Sequence, residues 1–434
     1  MRSTSVRTGS SGARGQRRAR LLSVSVALLA AAGALAAGVA TAASTSLSPP
    51  TVVAWGLNDY GQLQQPAENP HTNPTPTAFA FSAMPDSVTQ LGAGGLHSVA
   101  LLASGEVWSW GNNTDGEVDC SGAPDIDVAT KQVNWPGTPP DIIAVAGGES
   151  HTLALASDNT IYAWGYDGNG ELGNDPNVNG FIQCVPSQVL LSTNPDVPLK
   201  AKAIAAGDDF SLAVGLDGQV YAWGADFHRQ LGYVSANDVN PVPTLVMAGN
   251  PPAPLTGIKA VAAGYDFSLA MSTHAVWAWG EGDSGQLGRL PQPGNTCVCR
   301  AKPKKVTLNG VKPRAIVAGT AHALMRTSLN DIYAWGSDSD GQIGDGGQNV
   351  NAPTPVLVPF PNGVTSWGAI GAGAFHSLAI DQASNVYVWG DDSFEQQGDS
   401  TYGEVDNASP VPVPGQVAAV LGTGSRSLHA LIGP

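Results

Sequence analysis

The sequence is short of charge and of chemistry. Asp, Glu, Lys and Arg together make up 13% of its 434 residues, aromatic residues 7%, and there are four cysteines, Cys120, Cys184, Cys297 and Cys299. Each shortage excludes something. With 20 basic against 35 acidic residues the formal net charge is −15, a balance that repels nucleic acid and anionic lipid. Cys297-Val298-Cys299 lacks the two-residue spacing of zinc and redox sites, so no metal site is expected. The sequence contains no zinc-binding His-x-x-x-His, no nucleophile elbow, no phosphate loop and no sialidase-type Asp box. The acidic stretches Asp338-Ser339-Asp340-Gly341 and Asp167-Gly168-Asn169-Gly170-Glu171 lack the alternating Asp spacing of a calcium loop. Beyond residue 43 no apolar run is long enough to span a bilayer.

What is present begins with a separate leader. Arg2, Arg7, Arg14, Arg17, Arg18 and Arg20 precede an apolar run from Leu21 to Ala40 and the small residues Thr41, Ala42 and Ala43. A basic start, an apolar centre and a small-residue exit describe a secretory signal peptide over 1–43, and Arg17-Arg18 suits a twin-arginine route. An uncleaved membrane anchor is the alternative. Setting aside those six arginines leaves 14 basic and 35 acidic residues, a formal charge of −21. The expected location is secreted or cell envelope, where disulfides persist. Either Cys120 with Cys184 or Cys297 with Cys299 suits a bridge; the first pair lies in loops of adjacent repeat units. Charge is unevenly spread: no acid lies between Asp283 and Asp331, a stretch that holds Arg289, Arg300, Lys302, Lys304, Lys305, Lys312, Arg314 and Arg326. It reads as a solvated basic loop or, more sharply, as a patch for a partner.

The dominant signal is internal repetition. Trp-Gly recurs at Trp55, Trp110, Trp164, Trp223, Trp279, Trp335 and Trp389, spaced by 55, 54, 59, 56, 56 and 54 residues. Each copy ends an alternating run such as VVAWG, IYAWG or VYVWG, the period-two pattern of a half-buried strand. A second element, as in AGGLHSVAL, GGESHTLAL, AGDDFSLAV and AGAFHSLAI, precedes most of these tryptophans, separated from them by short turns such as Asp217-Gly218. Gly, Asn and Asp there accept the positive φ of tight hairpins. With a Gly-ending turn after each Trp-Gly and another short apolar strand, each unit of about 55 residues supplies four strands, the content of a propeller blade. The ends are out of phase: the first unit lacks a hairpin partner and the last lacks its Trp-Gly strand. Pairing Leu421–Ile432 with Thr51–Gly56 closes a ring and removes exposed sheet edges.

These paired motifs, V-Y-A-W-G-x-x-x-x-G-Q-L-G and V-A-A-G-x-x-H-S-L-A-L, resemble the regulator of chromosome condensation repeat over all seven units. The resemblance implies an all-β, seven-bladed β-propeller of four-stranded blades, spanning 44–434, with one blade shared between 51–90 and 421–432. It also brings two activities of family members: guanine-nucleotide exchange in the nucleus, and inhibition of a β-lactamase by a secreted bacterial relative.

The residues weigh against chemistry. His97, His151, His322 and His376 share one repeat position with Phe210, Phe267 and Ser427, and a position that accepts His or Phe is a packing position. The repeated tryptophans read as packing between neighbouring blades. Function then falls to the segments that differ. Their exposed-looking aromatics are Tyr60, Trp135, Tyr166, Phe181, Phe227, Tyr233, Phe394 and Tyr402, with Arg229 beside Phe227; aromatics and Arg are what protein interfaces use. The expectation is a non-enzymatic, monomeric binding module without cofactor, recognising a protein or a glycan through loops of one face. An enzyme inhibitor, an exchange factor, and a hydrolase or lyase with carboxylates in the propeller mouth are the alternatives.

Overall fold

The computed structural model describes residues 51–64, 72–80, 86–138, 140–174, 181–193, 196–233, 238–290, 299–347, 350–398, 407–418, 420–422, 424 and 429–433. Residues 1–50, which include the leader, lie outside them, as do Cys297, Tyr402 and Ser427. The described chain is an all-β propeller with four-stranded antiparallel blades and no helix.

Six blades are each contiguous in sequence, within 88–131, 142–188, 201–245, 260–305, 313–357 and 367–417; we number them II to VII. A further four-stranded sheet, I, combines the two ends of the chain. Its strands in order are Val420–Gly422, His429–Gly433, Thr51–Leu57 and Thr72–Ala80. The end segment expected as one strand, Leu421–Ile432, is therefore two, and only the second meets Thr51–Leu57, with Val53 opposite Ile432 and Gly56 opposite His429. The expected limit of the shared blade at residue 90 also moves back, because Val88–Ala93 is the first strand of blade II.

Within a blade the second and third strands form the hairpin foreseen from the motifs. In blade IV, Phe210 lies opposite Gly224 and Ser211 opposite Trp223. The same pairing places His97, His151, Phe267, His322 and His376 opposite a Trp-Gly glycine. Gly224 has φ +103° and lies against the backbone of Asp209 and Phe210, leaving neither the conformation nor the room for a side chain. The third-to-fourth pairing shifts register at this point, between Ala222 and Gly224, a bulge that turns the tryptophan out of the ladder.

All seven repeat tryptophans are fully buried. Each indole Nε1 donates to a main-chain carbonyl of the preceding blade: Trp110 to Gln62, Trp164 to Glu117, Trp223 to Glu171, Trp279 to Gln230, Trp335 to Gln286 and Trp389 to Gln342, over 2.7–3.0 Å. Trp55 donates to Gln396. Thus one side chain fills the space between two sheets and satisfies its only polar atom there. The histidines also bridge blades. Nε2 of His97 meets Thr152 Oγ1, that of His151 meets Ser211 Oγ and that of His322 meets Ser377 Oγ, each at 3.0 Å. Burial holds all four repeat histidines neutral, with pKa values lowered to about 3 for His151 and His322 and to about 4 for His97 and His376, the last against the opposing charge of Asp391.

Candidate functional site

The first strands of the seven four-stranded sheets line one narrow cavity of about 110 Å³. It is lined by Leu91, Val145, Ala205, Val261, Val317, Ile370 and Leu421, among other small and apolar residues, and by no titratable side chain. The carboxylate pair that a propeller hydrolase needs is not in this cavity. Among the described residues no cluster of His, Cys, Asp and Glu is arranged to hold a metal.

Antiparallel strands reverse direction, so successive connections alternate between faces. The first-to-second and third-to-fourth connections of each blade emerge on what we call the upper face; the other two emerge on the lower face. On the upper face the turns after Trp-Gly share one plan, except that blade V carries Gly282 in place of the first acceptor. An Asn or Asp accepts from the amide five residues on, as Asp226 Oδ1 does from Leu231 at 3.0 Å and Asp338 Oδ1 from Ile343 at 2.9 Å. A Gln or Glu four residues after that acid folds its side chain back onto an amide two residues earlier, as Gln230 does to His228 and Glu117 to Asp115. The residue before it has positive φ and is usually Gly. Arg229 (φ 68°) and Glu395 (φ 63°) are the exceptions, adopting a conformation that L side chains disfavour.

Burial of these turns shifts their acids. Glu117 is pushed up to about 8 and Glu171 well above the carboxylate range, both chiefly by desolvation. Asp226 and Asp338 are raised to about 6, again by burial first. The surface around the turns is acidic, and Arg229 is one of its few cations, 3.6 Å from Asp226 and 3.9 Å from Asp238. His228 Nδ1 lies 2.9 Å from Asp266, whose other oxygen accepts from Gln230 at 2.8 Å.

The structure divides the aromatics named from sequence. Phe181 and Phe227 are 68% and 53% exposed, and they stand in the third-to-fourth connections of the adjacent blades III and IV, with Ile182 (51%) next to Phe181. Tyr60, Tyr166 and Phe394 are half-buried on the same face. Tyr233 is not a surface residue: it is buried, and its hydroxyl accepts from Asn240 Nδ2 at 2.6 Å. Trp135 belongs to the lower face, in the connection from blade II to blade III. It is half-buried there, its ring 5.4 Å from Tyr162 and 6.0 Å from Trp164, edge to face, with Nε1 donating to Gln132. It packs its loop against the third strand of blade III. Phe375, 38% exposed in the first-to-second turn of blade VII, is an upper-face aromatic that sequence reasoning missed. Its signal was available: it takes the place before the repeat histidine where other units carry Leu96, Ser150, Asp209, Asp266 and Ala321.

Cys120 and Cys184 are joined in a disulfide with Cα atoms 5.2 Å apart, stapling the upper-face loop of blade II to the fourth strand of blade III. Cys299 is also disulfide-bonded.

Residues 119–431 match the family model described as RCC1-like domain, and residues 88–122 that of the regulator of chromosome condensation (RCC1) repeat. The ultraviolet-B receptor UVR8 of Arabidopsis thaliana is 30% identical over 339 residues, 77% of this chain and 72% of that protein. The mitochondrial RCC1 domain-containing protein RUG3 of the same plant is 30% identical over 75% of this chain and 71% of its own. Among solved structures, Prp20p of Saccharomyces cerevisiae, described with its binding to Gsp1p and histones, superposes with TM-score 0.74 at 23% identity, covering 89% of this chain and 92% of that one.

Proposed function

The chain belongs to the RCC1-like domain family, and from that premise we propose that it is an exported, non-enzymatic propeller that binds a protein partner through its upper face. One observation carries the reading. Phe181 and Phe227, each more than half exposed, rise from neighbouring blades on one rigid face. Large apolar side chains held in water on one face mark contact surfaces. The acid-rich surround favours a partner with a basic rim. A rigid platform suits this role, and we infer that sheet I is a seventh blade that closes the ring. The pairing of Thr51–Leu57 with His429–Gly433 and the bond from Trp55 to Gln396 support that inference.

Export rests on the basic and apolar leader of residues 1–43 and is supported by the Cys120–Cys184 bridge, which persists in oxidising compartments. Relatives whose names speak of a light receptor and of binding to Gsp1p and histones are consistent with one scaffold serving different partners.

The test is capture from envelope and culture-fluid proteins with the immobilised protein and with a Phe181→Ser/Phe227→Ser variant. The reading expects a retained component that is lost with the variant and destroyed by protease. A component equally retained by both proteins, or one removed by glycosidase alone, would contradict it.

A further inference from the structure

The basic stretch between Asp283 and Asp331 is not one solvated loop. Arg289 stands in the third-to-fourth connection of blade V, Arg300, Lys302, Lys304 and Lys305 on its outer strand Arg300–Lys305, and Lys312, Arg314 and Arg326 just before and within the first two strands of blade VI, Pro313–Ala318 and His322–Thr327. The last three meet Lys259, from the start of blade V, around a lower-face cavity of about 340 Å³. Lys259, Lys312, Arg314 and Arg326 line it together with the hydroxyls of Ser272, Thr273 and Ser328, and no carboxylate does.

We propose that this cavity between blades V and VI binds a tetrahedral oxyanion, a phosphate or sulfate group.

Arg326 is the reason. It is 6% exposed, and its guanidinium has one partner, the Asn330 side-chain oxygen, to which Nη1 donates at 2.6 Å; Nε has none among the described residues. No acid of the described residues forms an ion pair with it or with Lys259, Lys312 or Arg314. Buried guanidinium groups are ordinarily paired, because an uncompensated charge out of water is costly. Burial, and then the neighbouring Arg314, depress its pKa. The second cation thus adds repulsion where stability alone would place a carboxylate. A bound oxyanion supplies the missing counter-charge. It accepts from a planar guanidinium in the cavity wall, from the exposed Lys259, Lys312 and Arg314 at the rim, and from three hydroxyls. The site lies on the face opposite Phe181 and Phe227, so it stands whether or not the upper face binds a protein.

The experiment is titration of the full-length protein with inorganic phosphate and, in parallel, inorganic sulfate. Ionic strength is held constant with chloride, and binding is followed by calorimetry and by the melting temperature. The expected result is saturable binding of at least one anion with a Kd of about 1 mM or tighter. The preferred anion distinguishes a phosphate-bearing from a sulfate-bearing ligand. Lys312→Gln/Arg314→Gln, which alters only exposed side chains, weakens binding at least tenfold. Arg326→Met abolishes it. Lys200→Gln, which removes a lower-face lysine paired with Asp158, leaves it unchanged. Sulfate and phosphate also stabilise proteins by exclusion from their surfaces, an effect that does not saturate and is common to all variants. The absence of saturable binding by either anion, or the same affinity in Lys312→Gln/Arg314→Gln, overturns the proposal. The double variant decides the matter even if Arg326→Met does not fold.

Discussion

The indole nitrogen of Trp55 donates to the main-chain carbonyl of Gln396 at 2.6 Å, across 341 residues of sequence. It repeats the bond that joins each other repeat tryptophan to the blade before it. Blades II to VII are each keyed by this side chain to the sheet before them, and the proposed closure extends the same rule to the two ends of the chain.

Removing one key should be costly. Trp223→Ala empties a fully buried site between blades III and IV, and we expect a loss of about 3–5 kcal/mol. Trp223→Phe keeps most of the volume. The Glu171 carbonyl that it deserts still accepts from Ser211 Oγ at 2.9 Å, so the expected loss is about 1–2 kcal/mol. Urea denaturation of both variants checks the ordering; equal small losses would mean that the indole does not key the blades.

The plan of a blade was legible because it rests on local chemistry: alternation for strands, Gly, Asn and Asp for turns, and a tryptophan every 55 residues or so. What was not legible depends on which face a connection reaches and what lies across it. Tyr233 looked like a loop-tip aromatic, but the chain folds it under Asn240. Trp135 was grouped with Phe227, although strand reversal puts the two on opposite faces. The basic stretch looked continuous because sequence adjacency hides that its parts belong to two blades. Cys120 with Cys184 was one of two pairings open from sequence, and the Cα separation of 5.2 Å bears it out.

Glu117 and Glu171 occupy the position that holds Gln62, Gln230, Gln286, Gln342 and Gln396 in the other units. Buried, Glu117 has its pKa raised to about 8. A raised carboxyl favours the fold below the unfolded value, near 4.5, and this contribution is lost as pH rises through about 8. We expect Glu117→Gln to leave stability nearly unchanged at pH 5 and to raise it by about 1–3 kcal/mol at pH 8. Denaturation at the two pH values measures the difference; a variant destabilised at both would remove the premise of a buried, neutral acid.

The interior histidines act in the other direction. With His97 and His376 lowered to about 4, and His151 and His322 to about 3, by burial, their contribution is complete above the unfolded value of about 6.5. It is lost as pH falls toward those lowered values. Cooperative unfolding between about pH 5 and pH 3 is expected. His151→Phe, which copies the Phe210 and Phe267 found at the same repeat position, should move the acid midpoint downward. An upward shift would count against a purely packing role.

The Cys120–Cys184 bridge closes a segment of 64 residues that spans the boundary of two blades. Chain-entropy reasoning gives about 4 kcal/mol for such a loop, and native loops commonly deliver about 2–4. Cys120→Ser/Cys184→Ser should show that loss in urea. No loss would mean that residual structure already restrains the segment in the unfolded ensemble.

Nucleotide exchange is not expected. The upper face is acidic around the exposed Phe181 and Phe227, and its turns keep the common plan apart from Arg229, Glu395 and Gly282, the last in place of the Asn or Asp acceptor. Micromolar protein should leave the release of a fluorescent guanine nucleotide from a panel of small GTPases at its spontaneous rate. A tenfold acceleration from one of them, removed by Phe227→Ala with Arg229→Ala, would assign that activity to the chain.

The proposed closure of the ring rests on the last strands of the chain. Deleting residues 420–434 strips sheet I of the strand paired with Thr51–Leu57 and of the first strand beside the central cavity. Thermal melting of the truncated protein beside the full chain is the direct measurement. A closed ring predicts a large fall in melting temperature, ten degrees or more on the order-of-magnitude scale for losing several kcal/mol in a repeat fold, together with aggregation through the exposed edge. An unchanged melting temperature and a monomeric truncated protein would contradict closure.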